Sequence, residues 1–194
     1  KTMLWVGGIL VLVGFGAKAG SFPLHIWLPT AHPAAPAPAS AVLSGVITKT
    51  GIYGVLVLST TIFLHDGQWG LLLAVLGGIT MVLGAVLAVC SVDLKRTLAC
   101  SSVSQIGFIL VGVSMQCLLG EHNALAVDGT ILHILNHSII KMVLFPAAGI
   151  IHLSTHSFDF NEIRGFGRGK PALALVMAVP MLSLAGLPLL SGYV

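Results

Sequence analysis

The stretch GFGAKAGSFPLHIWLP, residues 14–29, decides how this chain is read. It sets a lysine and a proline, five residues apart, inside an otherwise apolar run. One reading is a secretory leader: Lys1 precedes the run, and Ala17-Lys18-Ala19 resembles a small-x-small cleavage site. The other is a membrane-spanning helix interrupted in mid-course, and the rest of the chain favours it.

Composition sets the class. Of 194 residues, 56% are hydrophobic and 8% charged, where a soluble domain carries about 25% charged residues. Polar groups are too few to cover a surface, so lipid must do it. The expectation is an all-α polytopic membrane protein. The net charge of +3 is small and scattered, which argues against a nucleic-acid partner. Cys90, Cys100 and Cys117 form no C-x-x-C pair and fall in or beside apolar runs, as buried small hydrophobes do. The chain opens Lys-Thr-Met and stops at Val194 within an apolar run. It is therefore expected to be a single transmembrane domain, 1–194, cut from a longer membrane protein.

A helix needs about 20 apolar residues to cross the hydrocarbon. Six stretches qualify, at 3–28, 41–64, 70–92, 98–119, 125–151 and 171–194, joined by short polar loops and one longer one at 152–170. Lys95, Arg96, Arg164, Arg168 and Lys170 lie on the side reached after the odd-numbered spans, and Lys1 lies on the other. Positive charge marks the cytoplasmic face, which assigns loops 29–40, 93–97 and 152–170 to it. Small residues recur in the spans: Gly77, Gly78 and Gly84 in the third, and Ser40, Ser44 and Thr48 in the second. They let helices approach closely in lipid.

Among nine basic and six acidic residues, three lie well inside spans, and all are lysine: Lys18, Lys49 and Lys141. A charge at mid-membrane costs about 2.5–3.5 kcal/mol on insertion scales. Snorkelling could serve Lys18 if its helix ends early. Lys49 and Lys141 stand about 13–15 Å from the nearer helix end, too far for that escape. An amine can shed and regain a proton, whereas an arginine stays charged and would block a relay.

The fifth span adds to this. In TILHILNHSIIKMVLFPAAG (130–149), His133, His137 and Lys141 fall at i, i+4 and i+8. With Thr130 they share an arc of about 80° that climbs about 12 Å of the helix axis. Two imidazoles and an amine can both donate and accept protons, with water bridging the neighbours. Ligation of a metal or haem by the two histidines is the rival reading, and simple interhelical hydrogen bonding is another. No carboxylate completes a metal set, there is no H-E-x-x-H, and Lys141 would repel a cation. Neither a metal site nor a cofactor is expected. His152 and His156 repeat the spacing in a loop, where a solvated role is the simpler one. In the fourth span Ser101, Ser104, Gln105 and Gly112 share a face that reads as a packing seam. On the functional reading Ser104 and Gln105, with His25, line water beside the relay.

Proline removes a helical hydrogen bond and clashes with the preceding turn. In AGSFPL (19–24), Gly20 and Pro23 act together, and AGLPL (185–189) returns the device with Gly186 and Pro188. The first span begins outside and the sixth inside, so the two broken helices cross in opposite directions. Paired interrupted spans of opposite orientation point to an inverted-repeat transporter with its working site near the breaks. A lysine beside such a break gains water access, and the leader reading falls away.

The long segment KAGSFPLHIWLPTAHPAAPAPASAVLSGVITKTGIYG (18–54) resembles the signature of antiporter-like membrane subunits. These occur in respiratory complex I, in Mrp-type antiporters, and in membrane-bound [NiFe]-hydrogenases including formate hydrogenlyase. DLKRTLACSSVSQIGF (93–108) and LHILNHSIIKMVLFPAAG (132–149) resemble two further blocks of the same family. The resemblance implies a fragment of about fourteen helices in two inverted five-helix repeats, running from the seventh into the twelfth. It implies that Lys18 is the lysine of the first break, paired with a glutamate upstream of Lys1. It further implies that Lys49 is the bridging lysine, and that His133, His137 and Lys141 lead toward the outlet half. The family's charged residue after the second break would fall beyond Val194. Some relatives carry histidine where this chain has Gln105. The partners implied are other membrane subunits of a redox or antiporter complex, with protons, and sodium as a further candidate, as the ions moved. WLPTAHPAAPAPASAVLSG (27–45) looks most like the hydrogenase type; complex I, Mrp and a non-pumping scaffold are the alternatives.

Overall fold

The structure, a computed structural model, describes residues 2–193. Seven helices follow one another: α1 (Thr2–Ala19), α2 (Trp27–Ala34), α3 (Ala37–Thr61), α4 (Gly67–Val89), α5 (Leu94–Leu118), α6 (Ala124–Thr155) and α7 (Pro171–Leu184). α1, α3, α4, α5 and α6 are each long and apolar enough to cross a membrane, and α7 is a shorter apolar helix. Their outer faces are hydrocarbon. On α4 the exposed stripe is Leu71, Val75, Ile79, Val82, Val86 and Val89, a spacing that keeps one helical face toward lipid.

Both breaks lie where the glycine–proline pairs stand. α1 stops at Ala19, and Gly20 takes a left-handed φ of +80° that glycine alone adopts freely. α7 stops at Leu184, and Gly186 does the same at +73°. The first and last spans are thus interrupted, and they end at 19 and 184 rather than running on to 28 and 194.

The joint expected over 29–40 is mostly helical, which corrects the sequence reading. Pro29 sits in the first turn of α2, where no donor is needed, and Pro36 ahead of α3, while Pro33 falls inside α2 next to its last residue, Ala34. Leu28, Pro29 and His32 are buried, so this segment belongs to the core. α6 likewise runs past 151 to Thr155, which places His152 in its last turn, stacked on Phe158 at 4.1 Å.

α4 and α5 make the closest helix pair. A Cβ on Gly84 would strike the backbone of Ser104, and one on Gly107 that of Met81. Gly77 likewise sits against the backbone of α5. At one end Trp5, Phe63 and Trp69 form an aromatic cluster, with Trp69 Nε1 donating to Ser59 Oγ at 3.0 Å. At the other end the three inter-helix segments meet. Leu94 N donates to the Phe158 carbonyl (2.9 Å), and Lys95 Nζ donates to the Ala35 carbonyl (2.6 Å) while lying over the Phe158 ring.

A buried lysine–histidine site between α3, α5 and α6

α3 contains one wide turn of π-helix, Leu43–Ile47. Such turns are frequent at functional sites because they free a carbonyl from the helical ladder. Here the Ser44 carbonyl accepts from Thr48 Oγ1 (3.0 Å) and from Lys49 Nζ (2.7 Å). The same ammonium nitrogen stands 2.7 Å from His137 Nδ1 of α6. Lys49 is 9% exposed and His137 wholly buried. One proton is shared between an amine and an imidazole, and neither partner is a carboxylate.

One turn along α6, Lys141 is also wholly buried. Its Nζ crosses to α5, donating to the Leu98 carbonyl (2.8 Å) and to Ser101 Oγ (2.5 Å). Between the two lysines, Ser44 Oγ and Ser102 Oγ are 2.7 Å apart, and Ser102 Oγ also donates to the Leu98 carbonyl (3.0 Å). Ser44 thus meets Lys49 through its carbonyl and Ser102 through its hydroxyl. The Leu98 carbonyl accepts from both Ser102 and Lys141, while His137 stands one turn from Lys141 along α6. His133 stacks on His137 with ring centroids 6.4 Å apart. Nε2 of both histidines is buried without a hydrogen-bond partner, which leaves two ring atoms free for water or for an incoming proton.

The structure sorts the sequence-predicted residues. Lys49, His133, His137 and Lys141 come together in the core of the bundle. Lys18 does not: it is exposed on the last turn of α1, and among the described residues no hydrogen bond joins it to the others. The expectation that it is buried fails within this chain, because α1 packs on α3 through Phe15 and Ala19, which meet Gly51 and Gly54. Ser104 is also corrected. Its hydroxyl donates to the Met81 carbonyl (2.9 Å) in the α4 seam, not toward the histidines. Gln105 lies on α5 between Ser101, which meets Lys141, and Phe108, which meets His133, with Oε1 buried and unpartnered. His25 is buried in the first break beside Phe22, apart from the lysines.

Two groups escaped the sequence reading. Ser44 read as a packing residue and Ser102 was not singled out; the signal was a pair of hydroxyls, Ser44 and Thr48, one turn apart beside Lys49. His32 read as loop. It is wholly buried, stacked on Phe145 at 4.5 Å, with both ring nitrogens unpartnered and with Lys141, Lys95 and Lys49 within electrostatic reach. An apolar groove of ≈ 550 Å³ runs between α3 and α6 and reaches Lys49. Among the described residues, no three of His, Cys, Asp and Glu converge as metal ligands would.

A helical membrane bundle with two broken spans and basic groups buried between its helices is the architecture of an antiporter-like membrane subunit. The chain belongs to the family described as NADH:quinone oxidoreductase/Mrp antiporter, TM, which it matches over residues 1–194. It is 38% identical over 194 residues to hydrogenase-4 component B of Escherichia coli K12, covering 96% of this chain and 29% of that protein. It is 41% identical over 186 residues to NAD(P)H-quinone oxidoreductase chain 4 1 of Picosynechococcus sp., covering 94% of this chain and 33% of that one. A chain in the structure of the Mrp complex from Dietzia sp. DQ12-45-1b superposes with a TM-score of 0.84 at 30% identity, covering 97% of this chain and 34% of its own length. The chain thus spans about a third of the length of these relatives. The fold is the all-α, antiporter-like membrane fold with its first and last spans broken.

Proposed function

We propose that this chain translocates protons across the membrane through Lys49, His137 and Lys141, as part of a membrane subunit in a redox-driven complex. One observation carries the reading: a lysine and a histidine share a hydrogen at 2.7 Å in the core, and among the described residues neither lysine has an acidic partner. Buried charge is normally offset by a counter-charge. Groups kept there without one are suited to exchanging the proton.

The hand-off follows from the atoms. Lys49 gives a proton to Nδ1 of His137, and the imidazole releases one from Nε2. Water then carries it to Lys141, one helical turn away, or to His133. Lys18, exposed beside the first break, would load from an acidic partner supplied outside this chain. The positive charges of loops 93–97 and 152–170 support placing that end of the bundle in the cytoplasm, with the protein in a bacterial or archaeal cell membrane.

The hydrogenase or formate-hydrogenlyase type is favoured by the segment at 27–45, and hydrogenase-4 component B agrees with it. Complex I and Mrp-type antiport are the alternatives, and relatives carrying both names have similar identity. Redox cofactors would belong to partner subunits. A non-pumping scaffold is separated by Lys49→Met in the full-length subunit within its complex. Redox-driven proton uptake by membrane vesicles is lost while assembly on native gels is intact. Unchanged uptake would leave the scaffold.

A further inference from the structure

Residues 33–38, Pro-Ala-Ala-Pro-Ala-Pro, carry no long side chain, and the proton route makes no use of them. Where they face α6 they leave the space between the helices unfilled. A cavity of ≈ 610 Å³ lies there, walled by these six residues on one side and by Pro146, Gly149, Ile150 and Leu153 of α6 on the other. Its volume falls within the range of about 300–1,000 Å³ that holds a small ligand. The walls are apolar, but Lys95, His152 and Phe158 line the same space. They stand at the end of the bundle where the basic loops 93–97 and 152–170 meet.

Lys95 is 3% exposed. Its ammonium donates to the Ala35 carbonyl (2.6 Å) and lies 4.6 Å from the centre of the Phe158 ring, two partners without formal charge. Asp93, two residues earlier, spends Oδ1 on the backbone N–H of Arg96 as the cap of α5. Unlike Lys141, enclosed between α5 and α6, Lys95 borders a space that a counter-ion can enter, and it has N–H groups to spare. His152, stacked on Phe158, has Nδ1 buried with no hydrogen-bond partner among the described residues. A second ammonium marks the rim. Lys170 Nζ donates to Ser154 Oγ (3.1 Å), and Ser154 is one turn on from Ile150 in the cavity wall.

We propose that this cavity binds an anionic phospholipid, its phosphate held by Lys95 and Lys170 and an acyl chain laid along the proline–alanine wall. Buried charge without a counter-charge is costly, and a phosphodiester supplies one. Basic pockets between transmembrane helices take anionic lipid head groups in this way. The order of groups along α6 fits a lipid. His152 and the two ammonium groups lie toward the helix end, and the apolar wall runs from Leu153 back to Pro146, about 10 Å nearer mid-membrane. A free anion would leave that wall uncovered, and a zwitterionic lipid would bring an ammonium of its own, which the lysines repel. None of these groups lies on the lysine–histidine route, so the site stands or falls independently of the proton reading.

Phosphatidylglycerol carrying a photoreactive group on one acyl chain tests this on the full-length subunit, assembled in its complex and held in phosphatidylcholine nanodiscs. Peptide mass spectrometry of wild type shows saturable labelling within 33–38 or 146–153, and unlabelled phosphatidylglycerol competes. A phosphatidylcholine probe labels these peptides at least about tenfold less, and inorganic phosphate does not compete. Lys95→Gln weakens labelling by at least about tenfold, and Lys170→Gln by about fivefold. Ile150→Trp fills the cavity, keeps both lysines and abolishes labelling. That variant and Lys170→Gln, at an exposed position, decide the matter if Lys95→Gln fails to assemble. Labelling that is absent, equal for the two lipids, or unchanged in Ile150→Trp or Lys170→Gln overturns the site. Displacement by inorganic phosphate overturns the lipid assignment.

Discussion

Lys141 is wholly buried, yet it can be removed without stranding a neighbour. The Leu98 carbonyl also accepts from Ser101 and Ser102, and Ser101 keeps its bond to Leu98. Lys49 differs, because its loss orphans His137 Nδ1, at a cost of about 1–3 kcal/mol. A structural explanation for the two amines therefore predicts that Lys49 matters more to stability than Lys141; the proton reading predicts that both matter equally to uptake. Lys141→Met is expected to leave thermal stability nearly unchanged and to abolish uptake in vesicles. His32 invites the same separation. His32→Phe keeps the stack on Phe145 and removes two unpartnered nitrogens, so its stability cost stays below about 1.5 kcal/mol. Slower proton uptake by that variant, read against unaltered melting, would place His32 on the entry side of the route; unaltered uptake would confine it to packing. Lys49 and Lys141 were legible in the sequence because burying a charge is so costly; Lys18, expected inside by the same argument, is exposed where α1 ends early. His32 was not legible. It lies among three prolines and five alanines in residues 31–40, which look like loop until tertiary packing covers them.

At the scale of elements, the breaks and the α4–α5 seam carry the architecture. Both breaks could be read from glycine and proline alone, because no other pair so directly cancels a helical hydrogen bond and supplies a left-handed residue. Their extent could not: how far a helix resumes beyond a break depends on packing, and α2 resumes because Leu28 and His32 are buried. The face of α5 that meets α6 was half legible. Ser101 meets Lys141 of α6, but Ser104, three residues on, turns to the Met81 carbonyl because the glycines of α4 bring that backbone close. Gly107→Leu drives a side chain into the backbone of Met81 and Gly77. It is expected to cost about 1–3 kcal/mol or more, seen as a lowered melting temperature and loss of assembled subunit. A Gly78→Leu control, where a Cβ meets nothing, leaves both unchanged.

At the scale of the molecule, the polar network lies across three helices while the outer faces are apolar. Lys49 of α3, Ser101 and Ser102 of α5, and His137 and Lys141 of α6 are brought within hydrogen-bonding distance by the bundle, not by local sequence. The sequence announced the α6 stripe through its four-residue period; that Lys49 would reach His137 depended on how α3 and α6 pack, which no single-helix pattern encodes. The central claim is that these amines are retained because they exchange protons, not because they are charged. Lys49→Arg and Lys141→Arg keep the charge and hydrogen-bonding capacity but fix the proton. Redox-driven proton uptake should be abolished in vesicles carrying the assembled complex with either arginine variant. Uptake at the wild-type rate with arginine at both positions would contradict the account.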